Sequence, residues 1–142
     1  MKQDAARANL YPVPPGAAAG GDFVEIDGVR FAGTHLLIDL WDGKHLDNLE
    51  VVERALREAV QAAGATILKI DLHHFTPYGG VSGVAILAES HMSIHTWPEE
   101  GYAALDIFVC GGCDAYRTVA VVRRHFETEN TRLTEIRRGL AP

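Results

Sequence analysis

Residues 89–99, ESHMSIHTWPE, crowd carboxylates, hydroxyls, two imidazoles and an indole into eleven positions of an otherwise apolar stretch. Polar side chains set between the apolar runs 84–88 and 103–109 need partners or a purpose, because burying them unpaired is costly. Ser90 with a nearby histidine is a possible acyl-transfer nucleophile and base. No GxSxG turn precedes it, and in a regular strand Ser90 and His95 would point to opposite faces unless the chain bends or breaks between them. His91 and His95, the adjacent His73 and His74, and two cysteines also supply ligand types for a tetrahedral zinc site. Four-residue spacing brings imidazoles together on a helix, however, and SIHTW is β-branched and aromatic, so local hydrogen bonding is the alternative for these histidines. VCGGCD presents a third possibility, a CxxC redox pair between a strand and a helix. Only 29 residues follow Cys113, too few for the rest of a thioredoxin-like unit, and Cys110 can equally be a small hydrophobe ending a strand.

The elements that must position these groups follow from periodicity. FVEIDGVRF predicts a tight hairpin turning at Asp27-Gly28, and THLLIDLW continues the sheet. Over residues 47–65, Leu49, Val52, Leu56, Ala59, Val60 and Ala63 form an apolar helical stripe, with Asp47 and Glu50 as a capping box and Gly64 as the stop. TILKIDL, VSGVAILAE and YAALDIFVC read as strands, DAYRTVAVVRRHF returns to helical spacing, and RLTEIRR predicts a last strand. The middle connections are too short for helical crossovers. The expected fold is therefore α+β, an antiparallel sheet with helices on one face. No internal repeat is visible.

Composition narrows the function classes. The chain has 142 residues, about one domain, and 47% apolar content suits a packed core. A net charge of -6 argues against nucleic acid as partner. No apolar run reaches a membrane span, and the first residues lack the apolar stretch of a signal peptide, so the expected location is cytoplasmic and a structural disulfide is not expected. PVPPGAAAGG marks residues 1–21 as a disordered tail, leaving 22–142 as a single domain.

GGVSGVAILAESHMSIHTWPEEGYAALDIFVCGG, with the upstream HHFTP and GTHLLIDLW, resembles the prokaryotic pyruvoyl-dependent S-adenosylmethionine decarboxylases. The resemblance runs from about Phe31 towards the C-terminus. It implies a proenzyme that cuts itself between Glu89 and Ser90 into residues 1–89 and 90–142, which stay together non-covalently. The Ser90 hydroxyl would attack the preceding carbonyl, the amide would become an ester, and elimination and hydrolysis would leave a pyruvoyl group derived from Ser90. That cofactor forms a Schiff base with the substrate amine and takes up the electrons released with carbon dioxide. The same resemblance implies Cys110 as proton donor, His95 as the base that removes the Ser90 α-proton, and Ser82 as its helper in processing. It further implies a two-layer α/β sandwich whose processed protomers form a homodimer, with Phe75 and Trp97 stacking on adenine and Glu99 holding the ribose; no metal-ligating residues are expected. Cleavage would also resolve the conflict of faces, since residue 90 becomes a chain end. TPYGGVSG carries one Gly more than the shorter family form, which bears on Phe75. Taken alone, Trp97 before Pro98 could close a strand, Phe75 could be core and Glu99 beside Glu100 could be a solvated turn. Ornithine or arginine as substrate, and a redox or metal-binding protein built on CGGC, are the competing functions.

Overall fold

The computed structural model describes residues 23–110 and 112–141; the tail expected over residues 1–21 lies outside them. Two short strands, β1 (Val24–Ile26) and β2 (Val29–Phe31), pair around Asp27 and Gly28, both at positive φ, as the Asp-Gly turn requires. A six-stranded antiparallel sheet then holds β3 (Gly33–Leu40), β4 (Ile67–His74), β5 (Val81–Leu87), β6 (Ser90–Trp97), β7 (Tyr102–Cys110) and β8 (Thr131–Arg138). Their order is β4-β5-β6-β7-β3-β8. Helices α1 (Leu49–Ala62) and α2 (Arg117–His125) pack together on one face, giving the expected α+β two-layer sandwich.

Two local readings change. The α1 cap is Asn48, not Asp47: its side chain accepts the amides of Glu50 and Val51, both at 3.1 Å. Leu49, as the first helical residue, falls off the apolar stripe and is exposed, whereas Val52, Ala55, Leu56, Ala59 and Val60 are buried. The polar cluster is also itself a strand, so four strands rather than three separate the helices.

That strand forms because its residues alternate. Met92, Ile94 and Thr96 are buried toward the helices, while His91, Ser93, His95 and Trp97 take the other face. Neighbouring strands match this parity. Met92 pairs with Ala85 and Ile107, and Ile94 with Leu105, which in turn faces Ile38. Each large apolar side chain in this layer contributes about 1.5–3 kcal/mol by leaving water. A one-residue slip would turn the whole set outward, so the core fixes the register on which the polar face depends. Among the described residues no helix covers that second face, where Ile86 and Ile136 remain exposed.

Candidate active site

The first group of site residues sits at the β5–β6 turn. Ala88 and Glu89 form a two-residue connection between paired Leu87 and Ser90. Favoured hairpin turns of this length place positive φ on a central residue. Here it falls on Ser90, at φ 132°. A non-glycine residue so placed stores on the order of 1–3 kcal/mol of backbone strain. The turn is strapped down on its other side: the Ala88 amide donates to the Thr66 carbonyl at 3.0 Å, and the buried Glu89 carboxylate accepts the Thr66 amide at 2.8 Å. Cys110, at the end of β7, directs its thiol to the Glu89 carbonyl oxygen at 3.4 Å. The bond between 89 and 90 thus has a strained residue on one side and a polarised carbonyl on the other. Gly33 allows this end of the sheet to close, since a Cβ there would lie 2.4 Å from the Val109 carbonyl oxygen.

A second group lies at the other end of β6. Ser82 Oγ and His95 Nδ1 are 3.0 Å apart across the β5–β6 pair. The His95 ring stacks on Trp97 at 4.1 Å between centroids and 12° between planes, and lies parallel to Phe75 at 6.0 Å and 10°. Trp97 continues to Tyr102 and Tyr102 to Trp41, a path of aromatic rings along the open face. The Tyr102 hydroxyl donates to Asp39; burial first, then that bond and the Asp39 charge, push its pKa up to about 12, so it remains a donor. Glu99 is exposed in a 3-10 turn, Pro98–Glu100. Ser82, His95, Phe75 and Trp97 are therefore brought together, with Glu99 two residues beyond Trp97, but not with Ser90. Five residues of strand put the Cα atoms of Ser90 and His95 about 16 Å apart. An open concavity of about 730 Å³ runs over the sheet face between them, touching His73, Ser82 and His95 at one end and Ser93 and Asp106 at the other.

A third group was not singled out from the sequence. Asp106 on β7 accepts from Ser93 through Oδ1 and from His35 Nε2 through Oδ2 at 2.5 Å, with His91 Nε2 at 3.4 Å from the same oxygen. His35 Nδ1 accepts from Arg138 at 3.2 Å, and Ser90 Oγ and His91 Nδ1 are hydrogen-bonded at 3.1 Å. Burial alone would raise the Asp106 pKa; the bonds from Ser93 and His35 and the fields of both imidazoles outweigh it and hold it below the ordinary value. The ring and carboxylate atoms of His35, His91 and Asp106 lie within 4.8 Å of one another, close enough to share an ion, yet each is already engaged in these hydrogen bonds. The zinc set considered from sequence differs: His91 and His95 are on one strand face two pleats apart, and neither cysteine joins them. The signal for this group was available in the alternation of His91 and Ser93, with His35 and Asp106 at outward positions of their own strands.

The CGGC reading weakens for a related reason. Cys110 points to the Glu89 carbonyl and Cys113 to that of Gly64, at 3.6 Å. Burial, then the charges of Glu89 and Cys110, push the Cys113 thiol up to about 11, the reverse of an activated redox cysteine.

Comparison with known proteins shows what the chain is similar to. The sequence profile described as S-adenosylmethionine decarboxylase matches residues 34–139. An S-adenosylmethionine decarboxylase proenzyme of Thermomicrobium roseum is 43% identical over 113 residues, covering 79% of this chain and 97% of the relative. One from Methanococcus aeolicus is 44% identical over 114 residues, covering 78% and 97%. The crystal structure of the adenosylmethionine decarboxylase from Aquifex aeolicus VF5 superposes with a TM-score of 0.71 at 33% identity, over 79% of this chain and 94% of that one.

Proposed function

The chain belongs to the S-adenosylmethionine decarboxylase family and carries its activity; from that premise we propose that it is made as a proenzyme, cuts its own Glu89–Ser90 bond, and works through a pyruvoyl group left at residue 90. The observation that carries this reading is the junction itself, a strained Ser90 whose preceding carbonyl accepts a thiol hydrogen bond from Cys110. In the first step Oγ attacks the Glu89 carbonyl carbon. The Cys110 S–H donates to the oxygen as charge develops there, and release of the Ser90 backbone strain favours opening of the peptide bond.

The pyruvoyl group supplies an electrophilic carbonyl that captures the substrate amine and draws off the electron pair left by departing carbon dioxide. Residue 90 pairs with Val109, so Cys110 adjoins the new chain end and can return a proton to the product. Trp97 and Phe75 offer flat faces to an adenine, and Glu99 offers a paired acceptor to a ribose diol. The product would serve as aminopropyl donor in spermidine synthesis. Two cysteines held as hydrogen-bonded thiols suit a cytoplasmic enzyme.

His95 cannot reach Ser90 within one chain, and this bears on assembly. The active form is a homodimer that pairs the uncovered sheet faces, so that His95 of the partner subunit serves the Ser90 end of its neighbour. Exposed Ile86 and Ile136 and the open concavity belong to that face.

Denaturing mass spectrometry of purified protein should give residues 1–89 and 90–142, the latter blocked to Edman sequencing. Ser90→Ala should stay whole. Carbon dioxide release should favour S-adenosylmethionine over ornithine and arginine. Intact protein with full activity would overturn the self-cleavage reading, and a preference for a plain basic amino acid would overturn the substrate. Mixed dimers test the shared site: co-expressing Ser90→Ala with His95→Ala should restore cleavage of the His95→Ala chain, because one of the two sites regains both groups. Absence of rescue would sink the arrangement in trans.

A further inference from the structure

His91 is the residue that the self-cleavage reading leaves without a task, although it touches the reacting hydroxyl. In a regular strand Ser90 and His91 would point to opposite faces. They meet because the Ser90 backbone, at φ 132°, departs from the strand and brings Oγ to 3.1 Å from His91 Nδ1. The other ring nitrogen faces a carboxylate oxygen of Asp106 at 3.4 Å. A carboxylate only accepts, so its nearness favours the tautomer with the ring hydrogen on Nε2, which leaves Nδ1 a lone pair toward the Ser90 hydroxyl. Asp106 is in turn fixed by donors from Ser93 and His35, and His35 by Arg138. Nucleophile, base and orienting carboxylate stand in the order that hydroxyl activation needs, and a supporting shell locks the carboxylate.

We propose that His91 is the general base for the first step of self-cleavage, with Asp106 as its positioning residue. The inference rests on the self-cleavage reading. His91 Nδ1 takes the proton from Ser90 Oγ as Oγ forms a bond to the Glu89 carbonyl carbon. The carbon–nitrogen bond of the peptide then breaks, and the departing Ser90 nitrogen receives the proton from the imidazolium. The products are an ester between the Glu89 carbonyl and Ser90 Oγ and a free amine on Ser90; no outside reagent is consumed. The acyl shift is thus run by a residue of the same chain, and is separate from the later elimination assigned to His95.

The test follows cleavage of the full chain after cell-free synthesis, with hydroxylamine added to release any ester. His91→Ala should cleave at least about a hundredfold more slowly than the parent, the usual scale for a lost general base. It should stall as an intact amide that hydroxylamine does not split, and added imidazole should restore part of the rate. His95→Ala should instead stall as an ester that hydroxylamine releases. Asp106→Asn, nearly isosteric, should also slow cleavage, and the double variant should be no slower than His91→Ala alone. Additive losses would show that Asp106 does not act through His91. His91→Ala that cleaves at the parent rate, or that accumulates ester, overturns the inference while self-cleavage stands. A parent chain that never cleaves, or a Ser90→Ala chain that does, overturns the underlying reading instead. If His91→Ala fails to fold, His91→Asn takes its place, with the same outcomes deciding.

Discussion

Thr96 joins the core to the catalytic face, and replacing it with valine gives a sharp test of how the site is held. Its side chain is buried among the helix-facing residues. The hydroxyl donates to the Leu46 carbonyl at 2.7 Å and accepts the Val81 amide at 2.9 Å, tying β6 both to the segment before α1 and to the start of β5. Thr96→Val keeps the shape and opens no cavity, so its cost comes almost entirely from these two bonds. A buried backbone group deprived of its partner costs about 1–3 kcal/mol, and two such groups about 2–6. The carbonyl keeps a second lone pair, and a methyl is cheaper to bury than a hydroxyl, which brings the expected loss to about 2–4 kcal/mol. For a chain of this size that lowers the thermal midpoint by about 5–15 °C. The measurement belongs in a Ser90→Ala background, expected to remain uncut, at fixed protein concentration. Thr96→Ser, which retains both bonds and loses one methyl, should cost only about 1 kcal/mol. If Thr96→Val melts within 1 kcal/mol of its parent, on this order of magnitude, or if Thr96→Ser is the worse variant, the bridging role is wrong.

Three further outcomes follow from the same geometry. Trp97→Ala and Glu99→Ala should each weaken use of S-adenosylmethionine by about ten- to a hundredfold while cleavage proceeds normally, as steady-state kinetics beside a denaturing gel will show. At pH 8 iodoacetamide should modify half-buried Cys110 well before Cys113, whose buried thiol is pushed up to about 11; equal rates by peptide mapping would contradict the burial argument. The Glu135 pKa is raised because burial outweighs the Tyr116 hydrogen bond and the Arg137 charge, and its Oε1 has no hydrogen-bond partner among the described residues. A folded pKa above the unfolded one means that its contribution is greatest below the unfolded value of about 4.3 and is lost as pH rises through the folded value. Glu135→Gln should therefore stabilise the chain at pH 7 to 8, with the gain shrinking as urea titrations approach pH 4.

The sequence reveals most where one physical rule acts alone. Alternation identifies β3, β7 and β8, and the apolar stripe identifies α1. Asp47 and Asn48 are both good capping types, and only the path of the loop decides that the Asn48 side chain meets the helix amides. The strand character of residues 90–97 was masked by chemistry: a histidine-rich segment invites a search for ligands, although Met92, Ile94 and Thr96 already mark an inward face. The group around Asp106 was harder to see because it joins residues 35, 91, 93, 106 and 138. Strand order β6-β7-β3-β8 brings them together, and no local spacing carries that order.

On the proposed self-cleavage, the same sheet order would let the chain be cut inside a hairpin without losing its site. Cleavage at residue 89 would remove the covalent turn, but β6 is paired along one edge with β5 and along the other with β7. Met92, Ile94 and Thr96 stay buried beneath the helices, and their parity forbids a slip that would turn His91, His95 and Trp97 inward. Ser90, whose backbone would be released, carries strain at φ 132°, while register is held by the helix-facing residues of β6. A turn used up in making a cofactor would therefore leave the outward face of β6 in place, because strand pairing and the buried face hold it without the turn.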